Sequence, residues 1–226
     1  MAALLAVLGG FLLRKPAERP AMGLFTSLPI LWNEAPDIGG MIDDKAPPHW
    51  ARAALGAQYR VVPLDTLLAP RKLRLLLMAQ PRPLSPAENV ALDGWVRGGG
   101  HVLLFADPMA TRESAFPPGD RRRPQDVALL SPILSHWGLD LMFDEAQPAG
   151  LREIAGSGIP VNLPGRLVLR AGAHSCRVEQ AGLIAECRMG AGKALIVADS
   201  ALFDGAGDEG RNSAVLRALT DRAFAP

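Results

Sequence analysis

Runs of apolar residues recur along the chain, and most of them end on polar residues. "MGLFTSLPI" predicts a first strand ending at Thr26-Ser27, and "YRVVPL" a second followed by Asp65-Thr66. "LRLLLMAQ" predicts a third strand that reaches Gln80, and "HVLLF" a fourth that closes on Asp107-Pro108. The third run is continuous enough to be buried on both faces, as parallel strands are. "LDLMF" reads as a fifth strand, and "KALIVADS" as a late buried strand ending on Asp199-Ser200. Helical patterns alternate with these strands. "HWARAALGAQ" is a short helix with Trp50 and Leu55 as core contacts, and "NSAVLRALTDRAF" is a closing helix. "DVALLSPILSHWG" reads as a helix stopped by Gly138 despite Pro132 near its middle. The best-marked helix begins at Ser85, an N-cap, with Pro86 in the first turn and Glu88 completing a capping box. Ala87, Val90, Ala91 and Trp95 lie along one face of it at helical spacing. Gly98 to Gly100 end that helix and turn the chain into the fourth strand. A phosphate-cradling loop follows a strand and opens a helix, so these glycines have a structural job.

Strands alternating with helices predict an α/β fold: a doubly wound, mostly parallel sheet of the flavodoxin-like kind. Residues 144–190 change character, with "RLVLRAG", "SCRVEQ" and "GLIAECRM" reading as an appended antiparallel β subregion. Residues 1–21 form an N-terminal apolar segment and linker, and residues 22–226 the folded domain. No internal repeat is visible. Cys176 and Cys187 flank "RVEQAGLIAE", which alternates like a hairpin with Ala181-Gly182 at its tip. A tight turn there sets the two cysteines opposite each other. Two readings stand, a disulfide in an oxidising compartment or two buried thiols.

The apolar run from Ala2 to Leu13 spans about 18 Å as a helix, against about 30 Å of hydrocarbon. It lacks a basic leader and a small-residue cleavage site. A membrane anchor missing its beginning, an interfacial helix and a helix buried on the domain are the competing readings; the truncated anchor is favoured. Arg14 and Lys15 follow the run, and basic residues prefer the cytoplasmic side.

Ligands in such sheets bind at the carboxyl ends of the strands. The candidate ligand- or partner-binding residues are therefore Thr26, Ser27, Asp65, Gln80, Asp107, Asp199 and Ser200. Each can instead cap a helix or tie a loop. The long loop from Met109 to Gln125 forms one rim of the crevice. Within it, Arg121, Arg122 and Arg123 can meet a phosphate or an acidic partner, though a charge run in a loop is ordinarily a solvated face.

Several chemistries lack their signatures. No G-x-S-x-G elbow follows a strand, and neither His49, His101, His136 nor His174 has an evident triad partner, so no catalytic residue is assigned. An unrecognised nucleophile such as Ser27 or Ser200 is the rival, hydrolytic reading. Asp199, Asp204 and Asp208 cluster in "ADSALFDGAGDEGRN" without calcium-loop spacing, and no H-E-x-x-H or paired C-x-x-C is present, so no metal site and no cofactor is expected. "MGAGKAL" departs from a nucleotide loop, with a strand rather than a helix after it. A net charge of +1 and 5% aromatic residues argue against a nucleic-acid partner.

"LLLMAQPRPLSPAENVALDGWVRGGGHVLLFADPMA" resembles the core motif of the gliding-motility auxiliary proteins of ABC transporters and of their relatives, the ABC-type uncharacterised transport system domains. "GKALIVADSALFD" followed by "RNSAVLRAL" resembles their C-terminal part, and "GLFTSLPILW" their first strand. The resemblance covers residues 22–224. It implies a fold similar to class I glutamine amidotransferases without the catalytic cysteine. It also implies a periplasmic domain attached to the inner membrane beside an ABC permease and ATPase, with a carbohydrate as a further ligand. For the strand-end crevice itself a glycan, a peptide or a partner loop is the expected occupant. Asp107, Asp199, Ser200 and Asn212 match the motif and carry no catalytic role with them.

Overall fold

The computed structural model describes residues 18–34, 47–70, 72–154, 156–204 and 208–225. The apolar run at the N-terminus, with its reading as an anchor, lies outside the described residues. In chain order the elements are β1 (Ala21–Thr26), α1 (Trp50–Gln58), β2 (Arg60–Pro63), β3 (Leu75–Ala79), α2 (Pro86–Arg97) and β4 (His101–Phe105). Next come α3 (Ser131–His136), β5 (Leu139–Met142), β6 (Arg152–Glu153), β7 (Pro160–Val161) and β8 (Arg166–Leu169). The chain closes with β9 (Cys176–Glu179), β10 (Ile184–Met189), β11 (Gly192–Val197) and α4 (Glu209–Phe224).

A seven-stranded sheet runs in the order β2-β1-β3-β4-β11-β10-β9. The first five strands are parallel, and β10 and β9 add an antiparallel end. The continuous apolar strands divide their side chains between two cores, as the period of two demands. Leu77, Leu103, Phe105, Leu195 and Val197 face α1 and α4, through Leu55, Leu216 and Leu219 among others. Leu76, Met78, Val102, Leu104 and Ile196 face α2 and α3, through Leu92, Val96, Ile133 and Leu134.

The structure corrects the sequence reading in four places. The segment expected as a fifth strand of the main sheet, β5, pairs antiparallel with β8 in a separate two-stranded sheet. Both sides of β4, the strand before it in the chain, are taken by β3 and β11, and β5 pairs with β8 rather than with an edge of the main sheet. Of the expected appended β subregion, β9 and β10 instead continue the main sheet, where β11 offers a free edge. The helix expected from residue 126 is only Ser131–His136, with Pro132 in its first turn. Residues 126–128 are not helical and hydrogen-bond beside the end of β4: Ala110 N donates to Asp126 O at 2.9 Å and Ala128 N to Asp107 O at 2.8 Å. Finally, α2 buries Glu88, Leu92 and Val96, whereas Val90, expected on the inner face, is 75% exposed.

Gly100 shows why the glycines after α2 are needed. A Cβ there would lie 2.4 Å from the Trp95 ring, which folds over the turn into β4. The hairpin pairs Cys176 directly with Cys187, and the two form a disulfide.

Candidate functional site

The strand ends gather the expected residues at one end of the sheet but sort them into two layers. Gln80, Asp107, Asp199 and Ser200 are buried, while Thr26, Ser27 and Asp65 line an open crevice above.

The buried layer is held together by paired polar groups. Gln80 follows β3 with φ +42°, an uncommon conformation for a residue with a side chain. Its carboxamide extends the ladder past the strand: Oε1 accepts from Asp107 N at 2.9 Å, and Nε2 donates to Asp107 O and to Gln125 O, each at 3.0 Å. Asp107 accepts from Met109 N at 2.8 Å and, through its other oxygen, from Ser200 N and Ser200 Oγ at 2.9 Å each. Asp107 thus ties the end of β4 to the end of β11. Asp199 accepts from Ala201 N at 2.6 Å and Asn162 N at 3.0 Å.

Burial is the main reason the Asp107 carboxyl sits above its usual range, against the pull of its hydrogen bonds. Burial also raises Asp199 well above that range, helped by the Asp107 charge. Asp204 belongs to the same cluster. Burial, then the Asp107 charge, push it up to about 6, while Arg112 and Thr111 oppose the rise. Thr111 Oγ1 donates to Asp204 Oδ2 at 3.3 Å and accepts from Asn162 Nδ2 at 2.9 Å. Asp204 Oδ1 and Arg112 Nε are buried with no hydrogen-bond partner among the described residues.

The crevice encloses about 550 Å³. Phe25, Thr26, Ser27 and Leu64 lie at the ends of β1 and β2, with Asp65, Arg82 and Trp32 around them and Arg121, Arg122, Arg123 and Gln125 opposite. It lies where the strand order reverses: from β1 the chain adds β2 on one side and then β3 on the other. Such a switch point is where open α/β sheets bind ligands. The hydroxyls of the lining are already engaged. Thr26 Oγ1 donates to Ala79 O at 2.6 Å; Ser27 Oγ donates to Gln80 O at 2.5 Å and accepts from Gln125 N at 3.0 Å. The groups left to address a ligand are the guanidiniums, the Trp32 indole, the Asp65 carboxylate and the Gln125 carboxamide.

Asn212 sits apart from both layers. It is buried on α4 and lines a separate depression of about 320 Å³ with Arg152, Glu153 and Asp208. Asp208 caps α4 through Gly210 N at 2.8 Å. Among the described residues no group of three His, Cys, Asp or Glu side chains is placed to hold a metal ion. His49 caps α1, and its Nε2 lies 2.9 Å from Phe203 O; burial draws its pKa below the ordinary value. Arg82 and Trp32 are the site residues that the sequence reading missed. The capping box marked Glu88 but not its burial, and only that burial, seen in the structure, calls for the Arg82 cation.

A mostly parallel α/β sheet, extended by antiparallel strands and carrying an arginine-lined crevice at its switch point, defines the class of domain. A family model described as "ABC-type uncharacterized transport system" matches residues 19–149, and the chain belongs to that family of ABC-type transport auxiliary domains. No curated protein matches the sequence. Among solved structures the chain is similar to Gan42B, a GH42 β-galactosidase from G. stearothermophilus, at 12% identity and TM-score 0.52, covering 90% of this chain and 30% of the other. It is also similar to the exo-β-1,4-mannosidase Op5Man5 from Opitutaceae bacterium strain TAV5, at 14% identity and TM-score 0.47, covering 92% and 34%. Cytoplasmic protein STM3548 from Salmonella typhimurium matches at 9% identity and TM-score 0.47, covering 88% and 97%. The chain spans about a third of the length of the two glycosidases, and the likeness to Gan42B is one of fold alone. No helix among the described residues is long and apolar enough to cross a membrane.

Proposed function

We propose that the chain is a non-enzymatic accessory of an ABC-type transport system, working beside a permease and an ATPase, and that its recognition surface is the strand-end crevice. The observation that carries this reading is the position of that crevice at the switch point of a domain belonging to a transport family. Recognition rather than turnover is supported by the serines: Ser27 and Ser200 each spend their hydroxyl on a neighbouring group, and Ser200 is buried. Helices on both faces of a mostly parallel sheet agree with an amidotransferase-like domain that has kept the scaffold without the nucleophile. The domain stands on the periplasmic side of the inner membrane, held by the N-terminal apolar segment; the Cys176–Cys187 disulfide supports an oxidising compartment.

Mild cross-linking in the native host, followed by affinity purification from detergent-solubilised membranes, tests the reading. A permease and an ATPase are the partners expected by mass spectrometry. Recovery from the soluble fraction without them would sink it.

A further inference from the structure

We propose that the crevice takes an anionic small molecule, a phosphate or carboxylate attached to a flat apolar body. This deepens the reading of the same crevice and rests on it. Four guanidiniums line the cavity against one carboxylate, Asp65. The chain as a whole carries a net charge of only +1, so this concentration does not reflect general basicity.

The acids that partner these arginines stand outside the lining, where they orient the guanidiniums. Glu88 holds Arg82 through both carboxylate oxygens at 2.7 and 3.0 Å, and the Arg82 guanidinium lies 4.9 Å from the centre of the Phe25 ring. Asp120 holds Arg122 at 2.7 and 3.1 Å, and its guanidinium lies 4.2 Å from the centre of the Phe116 ring. Asp126 holds Arg123, which also donates to Phe116 O at 2.8 Å.

A guanidinium carries five N–H donors. Arg122 spends two of them on Asp120 while its side chain stays 48% exposed. Arg121 has no hydrogen-bond or ion-pair partner among the described residues. Arg122, fixed by Asp120 with three donors to spare, and Arg121, with all five, match the planar, bidentate demand of a carboxylate or phosphate. Holding Arg122 in advance lowers the entropy lost on binding, whereas Arg82 spends four donors on Glu88, Pro83 O and Asp65 O. Trp32, 37% exposed and tilted against Phe116 at 6.1 Å, supplies a flat apolar wall for the rest of the ligand.

The test titrates the full, isotope-labelled chain in detergent with phenyl phosphate, benzoate and benzyl alcohol. These probes share a ring and differ in the headgroup. The readout is the Trp32 indole N–H resonance, assigned by its loss in Trp32→Phe. Saturable shifts are expected with at least one anion and not with the alcohol, and the tighter anion identifies the headgroup. Arg121→Ala lies on an exposed loop and is expected to weaken anion binding about tenfold with unfolding unchanged. Equal response to the alcohol, no saturable response to either anion, or unaltered binding by Arg121→Ala would overturn the proposal. Should the anions fail while cross-linking still recovers the permease and ATPase, the ligand class falls and the accessory reading stands. Should the anions bind in a chain recovered alone, the reverse holds.

Discussion

In the folded chain Asp204 keeps its proton up to about pH 6, mainly because it is buried and secondly because Asp107 is charged nearby. An unfolded aspartate loses its proton near pH 3.9. Between these two values the folded state binds more protons than the unfolded state, so this group's contribution to stability falls as pH rises through the window. Above it the charge is a burden on the order of 1–2 kcal/mol, reduced by its partial exposure. Asp204→Asn removes that burden and keeps an oxygen for the Thr111 hydroxyl. The variant is expected to melt higher than the wild type near pH 7 and to lose that advantage near pH 4. Thermal unfolding at both values checks this, and an advantage that is the same at both would rule out the charge as its cause. Residues of this kind are half legible in sequence. Asp107 and Asp199 stand out because each ends an apolar strand. Asp204 reads as part of a polar loop, and only the fold, which brings Thr111, Arg112 and Asp107 to it and half-buries its carboxyl, raises its pKa.

Helix α2 was legible at its start and not in its rotation, and both facts come from Glu88. The capping box forms as the "SPAE" pattern predicts: Glu88 N donates to Ser85 Oγ at 3.2 Å and Ser85 N to Glu88 Oε2 at 3.0 Å. Glu88 also accepts from Thr66 Oγ1 at 3.1 Å and Leu67 N at 3.2 Å, and pairs with Arg82. This buried hub turns the Glu88–Leu92–Val96 stripe inward and leaves Val90 in solvent, although apolarity alone favours the opposite face. The Arg82 guanidinium beside Glu88 holds its carboxyl well below the usual range. Its stability contribution is present above the unfolded pKa and lost as pH falls through the folded one. In Glu88→Gln one oxygen becomes a donor facing Arg82 and a backbone N–H. A loss of about 2–4 kcal/mol is expected in urea unfolding, against about 1 kcal/mol for Ser85→Ala, which breaks only the cap. Equal losses would reduce Glu88 to a capping residue. The same limit hid the pairing of β5: its apolar pattern marks a strand, but a pattern does not say that β8, and not an edge of the main sheet, is its partner.

At the scale of the whole molecule, the sheet has two exposed edges, β2 and β9, and only β9 is fastened covalently. The pattern of "RVEQAGLIAE" was enough to set Cys176 against Cys187, because alternation fixes register once a turn is placed. Non-covalent ties also hold this end, since Arg222 on α4 donates to Glu179 and to Glu186 at 3.0 Å each. Removing the disulfide is therefore expected to loosen an edge rather than unfold the domain. Cys176→Ser with Cys187→Ser should cost about 2–3 kcal/mol, the chain-entropy value for a short loop, with hydrogen exchange rising first in β9. The same bond reports on the compartment. If the domain faces an oxidising space, a thiol-reactive maleimide added to intact cells and lysate before any reductant leaves both cysteines unlabelled, and labelling appears only after reduction under denaturing conditions. Labelling without reductant would place the domain in a reducing compartment and remove the periplasmic part of the proposal, while the crevice and its arginines would stay as they are.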